Sequence, residues 1–133
     1  MANPNIVNVT SIYGNTAYVI PASTSVSVAW TYNGTTSLTG LTPASGTVNR
    51  VTSIVVSNVT GSAANTTVAV ANNATYGSGT PYYIAYQISV PANASVIVTD
   101  KTSSFYVTES QSVGVISGTS SALVYTATFE AIT

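Results

Sequence analysis

Tyr82-Tyr83-Ile84-Ala85-Tyr86-Gln87-Ile88-Ser89-Val90, closed by Pro91, is the clearest long strand in the chain. Aromatic and β-branched side chains suit a pleated surface, and proline, lacking an N–H, ends a ladder. Strict alternation predicts Ile84, Tyr86, Ile88 and Val90 on one face, with Tyr83, Ala85, Gln87 and Ser89 on the other. The rest of the chain uses the same alphabet. Fifty of 133 residues are Val, Ile or Thr, and only three are Leu (Leu38, Leu41 and Leu123). Residues stiff at χ1 dominate and good helix formers are scarce, so amphipathic helices cannot be written from this composition.

Working outward, alternation and turn residues divide the chain into nine or ten short strands. Residues 6–11 and 17–20 read as the first two, with Gly14-Asn15 turning between them and Pro21 closing the second. In residues 25–32, Val26, Val28, Trp30 and Tyr32 share a face. Asn33-Gly34 follows as a hairpin turn, because both residues tolerate positive φ. Residues 33–46 read as the longest loop. Residues 48–57 hold Ile54-Val55-Val56, consistent with a strand covered on both faces. Further strands are expected at 66–71, 82–90, 94–99, 105–107, 112–116 and 123–130. Many short strands with no helix between them predict an all-β fold, an antiparallel β-sandwich of Ig-like or jelly-roll-like type. The chain is expected to form a single domain over 1–133, with 1–46 as a candidate N-terminal extension or arm and 47–133 as the main sandwich.

Charge excludes several functions. Only Arg50, Asp100, Lys101, Glu109 and Glu130 ionise strongly, 4% of residues where globular proteins carry roughly 25%. Ser, Thr and Asn fill 52 positions, so neutral hydroxyls and amides solvate the surface. A net charge of −1 gives little repulsion between copies and favours association. Two cations make no basic stripe, so nucleic acid is not expected as a partner. The absence of Cys and His removes disulfides, Cys/His metal sites and His general bases. No apolar run reaches the ~18–20 residues of a membrane-spanning helix, and Met1-Ala2-Asn3-Pro4-Asn5 does not open like a signal peptide.

The candidate chemistry is thin. A glycosidase pair would need Asp100 and Glu109 to face each other across a turn, but solvated turns are the simpler reading. No acidic cluster suits calcium, and no Ser-x-x-Lys or Gly-x-Ser-x-Gly spacing marks a nucleophile. Gly77-Ser78-Gly79 lacks the Lys and helix of a phosphate loop. No catalytic residue, cofactor or metal is expected. Six Asn-x-Ser/Thr triplets, at Asn8, Asn33, Asn58, Asn65, Asn73 and Asn93, read as chance in so Asn- and Thr-rich a chain. The aromatics say more, since Tyr and Trp concentrate at interfaces. Tyr13, Tyr18, Trp30, Tyr32 and Tyr76 are the candidate protein-interface residues, with Trp30 and Tyr32 evenly balanced between core and partner-facing surface. A carbohydrate platform would also use such rings, but amides or acids beside them are not evident in the sequence.

Three segments carry a resemblance: Val51-Thr52-Ser53-Ile54-Val55-Val56-Ser57-Asn58-Val59-Thr60-Gly61; Tyr82 through Ala92; and Ser95-Val96-Ile97-Val98-Thr99-Asp100-Lys101. With the opener, residues 5–14, they resemble small virion proteins of tailed phages that infect cyanobacteria. The resemblance covers residues 48–133 and the opener, and its motifs are structural patterns without catalytic signatures. It departs from that pattern in having few acids around residues 109–118. It implies a non-enzymatic, many-copy cement or decoration protein on the outer capsid surface, bridging major capsid subunits as a homo-oligomer, with a trimer favoured. A tail, neck or fibre component that attaches to the host is the alternative, and a secreted adhesin the more distant one. The absence of a fixed-period repeat favours the head over the fibre.

Overall fold

A computed structural model describes residues 8–133. The chain is all-β, and two antiparallel sheets pack face to face as a β-sandwich. Ten strands follow in order: β1 Ile12–Val19, β2 Ala29–Tyr32, β3 Thr36–Thr39, β4 Val48–Asn58, β5 Ala64–Ala71, β6 Pro81–Val90, β7 Ser95–Thr99, β8 Phe105–Val107, β9 Ser112–Ser117 and β10 Leu123–Ile132. The larger sheet runs β3-β2-β1-β10-β4-β7, with β8 sharing the outer edge of β4. The smaller runs β6-β5-β9.

Strand β4 explains the Ile54-Val55-Val56 run. One of its edges pairs with β10 along the whole strand, and the other is divided between β7 and β8. Val51, Ile54 and Val56 face the other sheet and are fully buried beside Leu123, Tyr125 and Phe129 of β10. Two bulges, at Thr128/Phe129 and at Ile54/Val55, shift the register and increase local twist. Asp100 joins β7 to β8. Its Oδ1 accepts from the Thr102 N–H (2.9 Å) and the Thr102 hydroxyl (2.6 Å), capping a single 3-10 turn, Lys101–Ser103. These bonds, the Thr102 hydroxyl first, hold the Asp100 carboxyl below its ordinary range.

Several sequence expectations are corrected. Gly14-Asn15 is not a turn: β1 passes straight through it and pairs with β10 from Ile12↔Ile132 to Val19↔Tyr125. Gly14 has no neighbour within 4 Å of where a Cβ would stand, so nothing local forces a reversal. Of the strand expected over 6–11, residues 6 and 7 lie outside the described residues and 8–11 are not strand. The long loop over 33–46 contains β3, which closes a hairpin with β2 through Asn33 (φ 51°) and Gly34 (φ 82°). Nor do residues 12–46 stand apart as an arm. β1 lies between β2 and β10, and Ala17, Trp30 and Leu41 are fully buried in the common core. Residues 1–7 of that expected arm lie outside the described residues.

The two flanks of the sandwich differ. Beside β9 the sheets are laced together. Ser27 and Val115 exchange N–H···O bonds of 2.8 and 3.0 Å, and the Val113 N–H donates to Gly40 O at 2.7 Å. The Trp30 indole N–H donates to Val113 O at 3.2 Å. At the opposite flank β6 ends the small sheet, and β7 and β8 end the large one. That flank is open.

Candidate interaction surface on strand β6

Strand β6 has no charged residue and one paired edge, yet it displays Tyr82, Tyr83, Ile84, Tyr86 and Ile88 at 38–60% exposure. Its register against β5 explains how. Paired residues share a face, so Tyr82, Ala85, Ile88 and Val90, opposite Val70, Val68, Thr66 and Ala64, point between the sheets. Two bulges separate these pairs. Ile84 is extra between Ala85 and Tyr83, and Tyr86-Gln87 together span the single residue Thr67. Gln87 takes φ 49°, and its N–H donates to the Thr67 hydroxyl at 3.1 Å. The strict alternation expected for 82–90 is therefore wrong. Ala85 and Val90, assigned to opposite faces, are both buried, while Ile84, Tyr86 and Ile88 are exposed.

Two surfaces result. On the open flank a groove of about 500 Å³ lies between β6 and the β7–β8 edge, lined by Tyr82, Tyr83, Ile84, Val98, Phe105 and Tyr106. Tyr82 and Ile88 point inward but stay 60% and 43% exposed because no strand of the larger sheet covers them fully. On the outer face of the small sheet a second hollow, about 330 Å³, is lined by Asn65, Thr67, Tyr83, Tyr86, Gln87 and Ile116. The Tyr83 and Tyr86 rings meet edge to face there, with centroids 4.8 Å apart at 63°. Beneath them run small residues. Ala69 pairs with Tyr83 on one side and Gly114 on the other. A Cβ on Gly114 would lie 2.6 Å from the Tyr76 ring, so Tyr76 covers that glycine. Burial, and then the neighbouring Tyr83, raise the Tyr76 hydroxyl above the ordinary phenol range.

Charge lies elsewhere. None of β5, β6 and β9 contains an ionisable acid or base other than tyrosine. Arg50 and Glu130 pair at 3.7 Å across β4 and β10, and Glu109 Oε2 accepts from the Gly46 N–H at 3.4 Å. Among the described residues no three His, Cys, Asp or Glu side chains gather as metal ligands.

The five aromatics singled out in the sequence are not brought together. Tyr13 and Tyr18 are exposed on β1, at 65% and 40%. Trp30 is fully buried with its N–H satisfied, so it belongs to the core and not to a partner-facing surface. Tyr32 is half-buried and packs edge-on against Phe129, ring centroids 6.0 Å apart. Tyr76 alone lies near the β6 tyrosines. What sequence reasoning missed was β6 as a surface: alternation treats 82–90 as a regular strand and leaves Tyr82, Tyr83 and Tyr86 out of the interface candidates. Asn58, one of the Asn-x-Thr triplets, has its amide buried and committed, donating to Ser62 O (2.8 Å) and Val90 O (3.0 Å).

No protein-family model, curated protein or solved structure matches this chain.

Proposed function

We propose that the chain is a non-enzymatic structural protein of a phage particle, a cement or decoration protein on the outer face of the head that bridges major capsid subunits. The observation that carries this reading is the open flank. An apolar groove borders two free strand edges, β6 on one side and β7–β8 on the other, without a charge on β6 to repel a partner. Free edges are normally blunted by charge or covered, and here the strand is long and aromatic. A capsid segment entering the flank would gain main-chain bonds from an edge and bury Tyr82, Ile84 and Ile88. Surface made of hydroxyls and amides lets many copies pack densely with little mutual repulsion. The sequence resemblance to small virion proteins supports the same reading.

The mechanism is passive. Each copy removes apolar and tyrosine surface from water between subunits that would otherwise separate, at about 25 cal/mol per Å² of apolar area. Electron cryo-microscopy of the particle tests it. Density over capsid subunit junctions, contacting the β6 flank, is expected. Density confined to neck or tail would move the function to tail assembly or host attachment, and density contacting only the β3 edge would remove the flank from the mechanism.

A further inference from the structure

We infer that the outer hollow around Tyr83 and Tyr86 is a binding site for neutral, hexose-based glycan chains. Tyr83 also borders the flank groove assigned to a capsid partner, but Asn65, Thr67, Tyr86, Gln87 and Ile116 line only the hollow, and the inference does not depend on that assignment.

The geometry supplies both halves of what a sugar presents. A pyranose has a C–H face, which packs on the electron-rich face of an aromatic ring, and a rim of hydroxyls, which need donors and acceptors. Tyr83 and Tyr86, set at 63° and 4.8 Å, form a notch and not a flat sheet of rings. A sugar seated against one ring meets the edge of the other. Around the notch stand the side-chain amides of Asn65 and Gln87 and the hydroxyl of Thr67. Among the described residues, the Asn65 and Gln87 amides and the Tyr83 and Tyr86 hydroxyls have no hydrogen-bond partner within the protein. An amide carries two donors and an acceptor, which matches vicinal hydroxyls. The hollow, at about 330 Å³, is of the size of small-ligand sites, roughly 300–1,000 Å³.

Charge narrows the ligand class. The small sheet holds no Lys or Arg, so a sulfated, phosphorylated or uronic chain would bring an unpaired anion, and a nucleic acid would lack its phosphate contacts. A purely apolar ligand would leave the amides without partners on desolvation, at a cost. The bulge is what builds the site. With Gln87 at φ 49° and its N–H tied to Thr67, Tyr86 and Gln87 occupy the space of one residue beside Thr67. A regular strand would place them on opposite faces.

The site is shallow, and the expected affinity per copy is on the order of millimolar. The test is a ¹⁵N–¹H NMR titration of the full chain with maltohexaose, cellohexaose and mannohexaose, alongside an oligoalginate as the acidic comparison. At least one neutral oligosaccharide is expected to shift the backbone amides of Asn65, Thr67, Tyr83, Tyr86, Gln87 and Ile116. Tyr83→Ala and Asn65→Ala are each expected to weaken it about tenfold, and Tyr106→Ala, in the flank groove, to leave it unchanged. Asn65 is exposed, so its variant reports on binding even if loss of the Tyr83 ring unfolds the sheet. Absence of shifts with all three neutral chains would overturn the inference. So would shifts confined to the flank groove, tighter binding of oligoalginate at the notch, or undiminished binding by Asn65→Ala together with a folded Tyr83→Ala.

Discussion

The hydroxyl of Tyr125 lies 2.6 Å from that of Thr66, in the middle of the sandwich. Tyr125 also donates to the Ile116 carbonyl at 2.8 Å, so Thr66 must be the donor in the shorter bond. One phenol on β10 thereby ties the seven-stranded sheet to both β5 and β9, and no buried side-chain polar atom among the described residues lacks a partner. Tyr125→Phe removes the link and strands a buried hydroxyl. Leaving such a group unsatisfied costs about 1–3 kcal/mol. Urea unfolding followed by circular dichroism should show that loss with the slope unchanged, while Thr66→Val should cost less because the bond to Ile116 survives.

The same tyrosine makes stability fall at high pH. Burial pushes its hydroxyl up to about 12, with the Thr66 bond acting weakly the other way. In the unfolded chain it titrates near 10. Between those values the unfolded state releases a proton that the folded state keeps, so the stabilising contribution is complete below pH 10 and lost as pH rises through 12. The expected loss is at most about 3 kcal/mol, and Tyr125→Phe should flatten that part of the pH–stability curve measured by chemical denaturation.

Two glycines should differ sharply on substitution. Gly40 takes φ +65°, and a Cβ there would stand 2.6 Å from Ser112 Cβ and 3.3 Å from Ser112 Cα. Its N–H donates to Val28 O and its carbonyl accepts from the Val113 N–H, both at 2.7 Å. Neither side can retreat without unlacing the closed flank. Gly40→Ala should lower stability by about 2 kcal/mol or more. At Gly114 the obstacle is the Tyr76 ring and a Val26 methyl, and Tyr76, at the start of the short 3-10 turn Tyr76–Ser78 in which no residue is buried, can swing away. Gly114→Ala should therefore cost less in thermal denaturation and free the Tyr76 hydroxyl, detectable as a tyrosine titrating lower by ultraviolet absorbance.

Fold class was legible because β-branched residues and turn signals both point one way, and β4, β5, β7 and β10 fall where alternation placed them to within a few residues. Two failures have physical causes. Gly14-Asn15 carries turn residues but lies opposite Glu130 and Phe129 of β10, and the long ladder overrides local preference. On β6 the bulges at Ile84 and Gln87 reverse the phase twice, and nothing in a sequence of strand formers marks a non-glycine residue at positive φ. The candidate surface was hidden for the same reason. Gln87 follows Tyr86 directly, but Asn65 stands 22 positions before Gln87, and only the β5–β6 register sets it beside the Tyr83 and Tyr86 rings. Reading along the chain shows Gln87 next to Tyr86 but not the Asn65 amide, which reaches the rings from another strand.

Deleting residues 1–20 should unfold the protein and not merely remove an arm. β1 forms eight paired positions with β10, and Ala17 and Tyr18 pair with Tyr32 and Thr31 of β2. Its loss withdraws Ala17 and Val19 from the core and separates β2–β3 from the rest of their sheet. Deleting only residues 1–9 spares the described ladder, including the Thr10 N–H bond to Thr133 O at 2.8 Å. Trp30, the single tryptophan, reports the difference, because it is fully buried beyond β1 from β10. The shorter deletion should keep its blue-shifted emission and its protection from acrylamide. The longer one should shift the emission to the red and expose the ring to quencher. Native emission from the longer deletion would mean that β1 is dispensable to the core and that an N-terminal arm extends through residue 20.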